Sequence, residues 1–446
     1  MKPVSKHSAH LTRDRQAGTP LLKQRPFRML TLSRFNSRVA QNALNFGLLL
    51  IVVDQTGRAV FSSLLVLALV LPSTFVGLVA GAAADILPRR LLIVAGNGAR
   101  ALVCLGFVLS AENTTDCYLA AVGLAAASQF AVAAEGSMTP LLVSRTELPR
   151  ANAIIQGTAG GAQLLGMGIL TPVVLRLFHS PEILFGIAGA LFAAAAVQAS
   201  LIGEVRSPGQ REIGGDPEGA WWAVGWRQMR GDPVVMHAAM ELTLISTALI
   251  IMGGLIPKYI SDTLSLRIDV GVVVLLPAAV GVIGGLRVAS FLAHRIPHAL
   301  LSTGGFVSFV VLLMMLAFVN TESGFLSGYG MFGWLGDISI GSFNGGGVLA
   351  MMLMFPLGFS FALVAVAGQT LLNDRVPLYL QGRVVATQGA MAAIAASVPV
   401  VVAGAMSDVV GVTPVIALVA GGIGMAAALN LRQPREPEPV AGGLAR

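Results

Sequence analysis

Residues 65–80 read LVLALVLPSTFVGLVA, sixteen positions without a single charge. With their apolar neighbours they are long enough to cross a hydrocarbon layer about 30 Å thick, because a helix rises about 1.5 Å per residue. Further uncharged stretches occupy residues 151–174, 384–406 and 412–431. The sequence therefore predicts an all-α membrane protein.

The overall composition agrees with a membrane location. Of 446 residues, 55% are hydrophobic and only 11% are charged, and the mean hydropathy is +0.78. A water-soluble domain carries about 25% charged residues. The formal charge of +7 comes from basic residues spread over many loops, which is typical of topology signals and not of a nucleic-acid surface. We expect the lipid bilayer as a partner, and no nucleic acid.

The sequence carries no pattern for enzymatic or cofactor chemistry. Neither a phosphate-cradling Gly-x-x-x-x-Gly-Lys nor a zinc-binding His-Glu-x-x-His occurs. We interpret the glycines at 345–347 as part of a loop, not a nucleotide cradle. Cys104 and Cys117 support neither a disulfide framework nor a thiolate metal site. We predict that the chain is not an enzyme and binds no cofactor or metal.

Apolar runs recur twelve times along the chain. Six precede residue 202 and six follow residue 233, with boundaries set by the polar breaks between them. The predicted spans are residues 30–53, 59–84, 91–109, 117–143, 151–175, 181–201, 234–255, 270–292, 300–319, 348–372, 384–407 and 412–431.

The distribution of Lys and Arg predicts the orientation of these spans. With the N-terminus inside, 21 of the 29 basic residues fall on inner segments and four on outer segments. Cytoplasmic loops of membrane proteins carry such an excess. We therefore predict a multi-pass protein of the inner (plasma) membrane with both termini in the cytoplasm, functional as a monomer.

The polar breaks divide the chain into five parts. A cytoplasmic tail (1–28) precedes the first bundle (29–201), and a cytoplasmic linker (202–233) precedes the second bundle (234–431) and the C-terminal tail (432–446). The linker holds Trp221, Trp222 and Trp226 beside basic residues, which indicates a short interfacial helix. The long Gly-rich break at 320–347 should lie outside, either as a membrane-resting loop or with a binding role.

The two halves of the sequence resemble each other. Residues 84–92, ADILPRRLL, correspond to residues 293–301, AHRIPHALL, and residues 141–145, LLVSR, correspond to residues 371–375, LLNDR. A six-span unit used twice predicts two pseudo-symmetric six-helix bundles, an arrangement that builds a transporter with its substrate site at the bundle interface.

The loop after the second span contains Gly81, Asp85, Arg89 and Arg90 in the order Gly-x-x-x-Asp-x-x-x-Arg-Arg. This resembles the motif Gly-x-x-x-Asp-(Arg/Lys)-x-Gly-(Arg/Lys)-(Arg/Lys) of the major facilitator superfamily. The chain departs from it at residue 86, where isoleucine replaces a basic residue, and at residue 88, where proline replaces glycine.

Other short patterns resemble the drug and siderophore exporter branch of that superfamily, of the enterobactin-exporter type. They are residues 56–57, TG, residues 71–72, LP, Arg100, residues 151–153, ANA, and residues 382–384, GRV. The resemblance implies the superfamily fold of twelve helices, and it is weak for the substrate.

The resemblance also implies a gate on the inner side. Asp85 would meet the start of span eleven, at Gly382 and Arg383, and latch the inner side shut, because a carboxylate is favourable at a helix N-terminus. In the simpler interpretation, Arg89 and Arg90 only anchor the topology. Gly77 and Gly81, four residues apart, give span two a small face for close helix packing.

Charges inside the spans are the candidates for ion coupling, since an unpaired charge in the membrane is costly. Glu135, Arg38 and Arg100 all lie about 12 to 14 Å from the inner ends of their spans, so they could meet. Glu135 is then either a proton carrier or half of a permanent ion pair. Glu241, in span seven, is the second candidate proton carrier, and His237 one turn earlier is either its relay partner or an interfacial residue.

Scattered amides and aromatic rings are the candidate substrate contacts. Apolar walls with a few amides favour an amphipathic small molecule over a sugar or a highly charged anion. Many of these side chains will simply pack against other helices. The candidates are Gln41, Asn42 and Asn45 in span one, Gln129 and Phe130 in span four, and Phe355, Phe359 and Gln369 in span ten.

These patterns together predict a secondary active transporter that exports a drug, siderophore or metabolite by alternating access. Without a nucleotide site, the energy must come from an ion gradient, and we expect exchange with protons; sodium coupling or facilitated diffusion is the alternative. From a different functional class, the chain could be a non-transporting membrane sensor or a lipid scramblase on the same scaffold.

Overall fold

The computed structural model describes residues 21–110, 113–143, 147–203, 221–266, 272–292, 295–319, 345–376 and 378–431. In these residues all regular structure is helical, and no strand occurs. The predicted all-α membrane fold is confirmed. The α-helices are α1 Arg25–Thr56, α2 Ala59–Ile86, α3 Arg89–Ser110, α4 Thr114–Leu142, α5 Leu148–Gln163, α6 Thr171–Phe178, α7 Pro181–Ser200, α8 Trp221–Gly231, α9 Pro233–Lys258, α10 Leu276–Leu292, α11 His298–Ala317, α12 Gly345–Arg375, α13 Leu378–Val410 and α14 Val412–Leu431.

The described residues also include two π-helical segments, which continue α-helices. Leu164–Leu170 joins α5 to α6 in one continuous rod, and Tyr259–Thr263 extends α9. Short 3-10 turns precede α1 and α10, at Leu21–Lys23 and Val272–Leu275.

Within the described residues, nine helices are long and apolar enough to cross a membrane, and two shorter apolar helices occur at Val273–Ala289 and Val412–Ala428. The one predicted span not covered by these helices is the first, residues 30–53, which lies in α1; the 32 residues of α1 include Arg34 and Arg38. Each predicted span is overlapped, in order, by one helix or rod, and α8 lies between the sixth and seventh spans. One local prediction was wrong: the glycines at 345–347 form the first turn of α12 and not a loop. Most of the outer break, residues 320–344, lies outside the described residues, as do the tails at 1–20 and 432–446.

Large exposed apolar side chains cover the helices. Leu102 is 68% exposed, Leu109 75%, Val398 69% and Val409 85%. A water-soluble monomer does not expose apolar surface on this scale. These faces are suited to lipid chains.

The helices divide into two compact units. One comprises Met1–Gly57 and Leu65–Gly215, and the other Arg58–Leu64 and Asp216–Arg446. The division cuts α2 near its start, so that its first turns group with the second unit and the remainder with the first.

The same pattern of neighbours occurs inside each unit. In the first unit α1 packs on α4, α5 and α7, and α3 packs on α4 and α7. In the second unit the equivalent helices repeat all five pairs: α9 packs on α12, α13 and α14, and α11 packs on α12 and α14. The sequence repeat is therefore matched by repeated helix packing.

Glycines allow the closest helix approaches in the second unit. A Cβ atom on Gly285 of α10 would lie 2.7 Å from the carbonyl oxygen of Phe359 in α12, and a Cβ on Gly281 would overlap the carbonyl of Phe355. Gly358 of α12 faces the backbone of Ala278 in the same way. Small residues at such positions let helix backbones touch inside a membrane.

The π-helical segment of the first unit packs just as closely on α1. A Cβ on Gly166 would lie 3.0 Å from the backbone nitrogen of Ala43, and the Thr171 hydroxyl donates a 2.8 Å hydrogen bond to the Ala43 carbonyl. The carbonyl oxygen of Gly166 lies 3.0 Å from the same hydroxyl, whose single proton is shared between the two carbonyls. The hydroxyl of Thr171 is thereby satisfied inside the membrane-spanning region.

In the described part of the linker, residues 221–231 form the short helix α8. Met229 of α8 is fully buried against α9 and the adjoining ends of α12 and α13, within a cluster that includes Val235, Leu372 and Val384. The side chains of Trp221 and Trp222 lie outside the described residues, while Trp226 is 37% exposed. The start of α9 is capped by Asp232, which accepts a 2.9 Å hydrogen bond from the Val234 amide and lies 3.5 Å from Arg375.

Candidate functional site

Glu135 is buried in the first unit and pairs with Arg34. Its Oε2 atom lies 3.3 Å from Nε of Arg34, and the Glu135 side chain is only 5% exposed. Arg34 also donates a 3.2 Å hydrogen bond to the Thr139 hydroxyl, one turn after Glu135 on α4. The pair ties α1 to α4 inside the membrane-spanning region.

The sequence suggested Arg38 and Arg100 as the neighbours of Glu135. The direct contact is made instead by Arg34, one helical turn before Arg38 on α1. Arg38 is exposed, although its charge and that of Arg100 still act on Glu135 electrostatically. Charge and depth alone could not distinguish two arginines that share one face of the helix.

Arg100 belongs to a network of neutral acceptors. Its guanidinium donates to Oδ1 of Asn97 at 2.7 Å, to the Gly96 carbonyl at 3.3 Å and to Oε1 of Gln41 at 3.4 Å. It also lies over the ring of Phe192, 4.5 Å from the centroid. Arg100 is 3% exposed, so these contacts replace the water that its charge would otherwise bind.

Two of the predicted substrate amides extend this network along α1. The Gln41 side chain donates a 2.7 Å hydrogen bond to Oδ1 of Asn45 one turn later. Gln41, Asn42 and Asn45 are all half-buried. The structure thus joins Gln41 and Asn45 to Arg100 in one hydrogen-bonded chain.

The two candidates on α4 have different surroundings. Gln129 packs against α2: a Cβ atom added to Gly77 of α2 would lie 3.4 Å from Oε1 of Gln129. The side-chain amide of Gln129 donates a 3.2 Å hydrogen bond to the Ser128 hydroxyl. Phe130 packs against the buried cluster around Leu30 and Ile93. Phe130 is therefore a packing residue in this structure.

Glu241 is the buried carboxylate of the second unit. The hydroxyl of Ser302 donates a 2.5 Å hydrogen bond to its Oε2 atom, and the hydroxyl of Thr303 donates a 3.0 Å bond to Oε1. His237, one turn earlier on α9, places Nε2 3.1 Å from the same Oε1. Glu241 is 3% exposed.

The sequence did not identify Ser302 and Thr303 as partners of Glu241. They lie in the first turns of α11, about 60 residues further along the chain, and only the packing of α9 near α11 brings them together. The sequence signal for these partners was the pair of adjacent hydroxyl residues, Ser302 and Thr303, near the inner end of the predicted span 300–319. Nε2 of His237 lies close to Glu241 but is not aligned for a hydrogen bond to it, so the relay role stays a prediction.

The candidates on α12 lie along one helix. Phe355 is 44% exposed, while Phe359 and Gln369 are half-buried. The backbone at Phe355 and Phe359 faces the glycines of α10. Phe355 is the most exposed aromatic side chain of this group.

The predicted gating residues are described only in part. Gly81 and Asp85 lie in the last turns of α2, and Gly382 and Arg383 lie in the first turns of α13, but their side chains fall outside the described residues. Arg89 and Arg90 begin α3 and are half-buried.

Metal chemistry has no support in the part of the chain that the structure describes, because no group of three His, Cys, Asp or Glu side chains converges there. Cys104 and Cys117 are both buried and free. Thiolate chemistry is therefore not indicated at either position.

Comparisons with known proteins identify the family. The family model of the Major Facilitator Superfamily matches residues 30–354. None of the curated protein sequences matches the chain.

The fold is similar to that of solved transporters. One is a mutant of the nucleoside transporter NupG, with 12% identity and a TM-score of 0.69 over 91% of this chain and 99% of that chain. Another is a bacterial homologue of the human lysosomal transporter Spinster, in an inward-facing and unoccupied conformation, with 12% identity and a TM-score of 0.68 over 93% and 97%. NupG itself matches with 13% identity and a TM-score of 0.63 over 91% and 98%.

At these identities the structural matches show the fold alone, and the family model covers more than two thirds of the chain. The expected superfamily fold is confirmed, whereas the drug and siderophore exporter branch is not tested by these matches. The chain is therefore a multi-pass membrane transporter of the major facilitator superfamily.

Proposed function

We propose that this transporter exports an amphipathic small molecule in exchange for protons, by alternating access. The observation that carries the proposal is the set of partners around Glu241. Its carboxylate accepts hydrogen bonds from two hydroxyls, which can pair with either protonation state, and lies 3.1 Å from the imidazole of His237.

Hydroxyl groups can donate or accept a hydrogen bond, and a neutral imidazole can do the same through its two nitrogens. When Glu241 is ionised, Ser302 and Thr303 donate to it. When Glu241 carries a proton, either hydroxyl can turn and accept that proton's hydrogen bond. The two hydroxyls can therefore keep both carboxylate oxygens hydrogen-bonded in either protonation state.

The surroundings of Glu135 favour a different role. A guanidinium is always a donor and never an acceptor, so Arg34 matches only the ionised carboxylate. Loss of that charge would leave the buried Arg34 cation without its partner, which is expensive. We assign Glu135 and Arg34 to holding α1 against α4, and we assign the proton to Glu241.

The polar groups of the first unit support an amphipathic substrate. Gln41 and Asn45 present half-buried amides beside the buried charge of Arg100, and Phe355 in the second unit presents an exposed ring. A few amides among apolar side chains bind molecules with one polar and one apolar part. We propose Gln41, Asn42, Asn45, Gln129, Phe355, Phe359 and Gln369 as the residues from which the substrate contacts are drawn.

The proposed orientation places both termini in the cytoplasm of a cell whose inner membrane holds the transporter. In this orientation Asp85 and the start of α13 at Gly382 and Arg383 lie on the inner side. We propose that they form the inner latch that the family motif implies, with Arg89 and Arg90 at the same surface. A monomer contains all of these groups.

The experiment that tests the proposal measures export from cells. Cells that express the transporter, and cells that do not, are loaded with a panel of fluorescent amphipathic dyes, and retained dye is followed with and without a protonophore. We expect lower retention of at least one dye in expressing cells, and loss of this difference when the proton gradient collapses.

The alternatives give different results in reconstituted vesicles. Dye movement that ignores an imposed proton gradient but follows a sodium gradient would contradict proton coupling. Gradient-independent movement of labelled lipids would indicate a scramblase, and dye binding without any flux would indicate a sensor. Glu135→Gln also replaces a buried carboxylate; it should lower stability by leaving Arg34 unpaired, while the transport that remains should still respond to the proton gradient.

A further inference from the structure

Asp408, two residues before the end of α13 at Val410, caps the N-terminus of another helix. Its Oδ1 atom accepts a 2.9 Å hydrogen bond from the Ala59 amide, and its Oδ2 atom accepts a 3.1 Å bond from the Val60 amide. These are the first two amides of α2. Nζ of Lys258, the last residue of α9, lies 2.5 Å from Oδ1.

This contact joins the end of α13 to the start of α2. A carboxylate near the C-terminus of its own helix, as Asp408 is in α13, opposes the helix dipole. The free amides at the start of α2 and the ammonium of Lys258 compensate for it. Lys258 is the last α-helical residue of α9, and the π-helical segment Tyr259–Thr263 continues the helix beyond it. Removing the Asp408 charge would leave both the amides and the ammonium without their anion.

Small residues hold the same turn of α2 close to its neighbours. Ser62 and Ser63 are fully buried, and the Ser62 hydroxyl donates a 2.9 Å hydrogen bond to the Gly254 carbonyl of α9. A Cβ on Gly404 of α13 would lie 2.8 Å from Cβ of Ser63. The packing is therefore tight on both sides of α2.

These contacts all lie within the second unit, which includes Arg58–Leu64, whereas the rest of α2 from Leu65 groups with the first unit. The predicted topology places Ala59, Lys258 and Asp408 at the outer surface of the membrane.

We infer that Asp408 is an outer latch: its carboxylate holds the first turn of α2 against α9 and α13, and its release opens the outer side of the transporter. This inference rests on the proposed alternating access. With the proposed inner latch at Asp85, α2 has a carboxylate contact at each end: Asp85 at the inner end and Asp408 at the outer end. Opening one side would then require release at that end only.

The latch can be tested by thiol accessibility from outside the cell. The reporter is Ser62→Cys in a background with Cys104→Ala and Cys117→Ala, so that only one thiol remains. Labelling by a membrane-impermeant maleimide is slow while the reporter is buried. We expect Asp408→Asn to raise the labelling rate by about tenfold, as the loss of one charge-assisted hydrogen bond requires.

Asp262→Asn is the matched control, because Asp262 is an exposed carboxylate close in sequence to Lys258 and bonds to the neighbouring Ser261. It should leave the labelling rate unchanged. Asp408→Glu keeps the charge and should retain most of the protection. An unchanged rate in Asp408→Asn, with a normal elution profile of the purified protein, would overturn the latch.

A charge swap separates helix capping from simple ion pairing. Lys258→Asp combined with Asp408→Lys keeps two opposite charges but directs a cation at the amides of α2. We expect this double variant to label as fast as Asp408→Asn, and restored protection would overturn the capping role. The assay needs neither substrate nor a proton gradient, so failure of proton-coupled export and failure of the latch give separate results.

Discussion

The hydroxyl of Ser302 donates a 2.5 Å hydrogen bond to the carboxylate of Glu241, and the two residues lie on different helices of the second unit. With Thr303 and His237 on the other carboxylate oxygen, both oxygens of a buried anion are satisfied. The two hydroxyls can reverse the direction of their hydrogen bonds, in contrast to the guanidinium that holds Glu135. This difference is the basis for assigning the proton to Glu241.

Glu241→Gln should uncouple transport without unfolding the protein. Glutamine keeps the hydrogen bonds to Ser302 and Thr303 but cannot bind or release a proton. In vesicles we expect gradient-driven transport to fall by about 100-fold, within the range that a positioned acid or base contributes, while substrate exchange at equal pH continues. Loss of exchange as well would point to substrate binding or folding at this position.

Ser302→Ala tests the partner that the sequence did not reveal. The change removes the donor to Oε2 and leaves Glu241 with Thr303 and His237. We expect the pH profile of transport to shift, and Ser302→Thr to restore it because the hydroxyl returns. An unshifted profile in Ser302→Ala would show that this hydrogen bond does not tune the proton site.

Arg34→Gln should lower the thermal stability of the protein, whereas the coupling of transport to the proton gradient should be less affected. Removing one partner of a buried ion pair costs about 3 to 5 kcal/mol, because the other charge is left unpaired. The midpoint of thermal unfolding in detergent should drop clearly. The double change Arg34→Met with Glu135→Leu should recover most of that loss. A double variant as unstable as Arg34→Gln would contradict the structural role of the pair.

Asp85→Asn and Asp408→Asn should have opposite effects on outer accessibility. Release of the proposed inner latch favours opening inward, so Asp85→Asn should slow outside labelling of the Ser62→Cys reporter. It should also lower transport while membrane abundance is kept. Normal transport in Asp85→Asn, measured at equal abundance, would discard the inner latch.

Gly285→Ala should destabilise the second unit, since its new Cβ would lie 2.7 Å from a backbone oxygen of α12. Overpacking of this kind costs about 1 to 3 kcal/mol. Gly284→Ala is the control, because its Cβ would meet the ring of Phe359 only at 3.9 Å. Thermal unfolding of the two variants side by side gives the comparison. Equal midpoints would show that α10 and α12 can move apart without cost.

Hydropathy and charge were sufficient for the fold. Each predicted span is matched by a helix or rod, and the repeat seen in the sequence is matched by five equivalent helix pairs in each unit. The π-helical segments were not predictable, because they depend on close packing such as that of Gly166 against α1. The first turn of α12 was assigned to a loop because glycine disfavours helices in isolation.

The sequence predicted the buried carboxylates of the candidate site but not the residues that contact them. Glu135 and Glu241 stood out because a buried carboxylate is costly in a membrane. Their partners did not, since Arg34 and Arg38 differ by one turn of α1, and Ser302 comes from a distant helix. One feature of the sequence could have pointed to Asp408. It is a carboxylate near the C-terminal end of a helix, where the dipole of that helix disfavours a negative charge.

The most direct test of the account is the pH dependence of transport in vesicles that contain either the unchanged protein or Glu241→Gln. With an imposed proton gradient, the unchanged protein should drive an amphipathic dye against its own concentration gradient, and collapse of the proton gradient should stop this. Glu241→Gln should only equilibrate the dye. Accumulation by Glu241→Gln at the normal rate would contradict the central claim that this carboxyl carries the coupled proton.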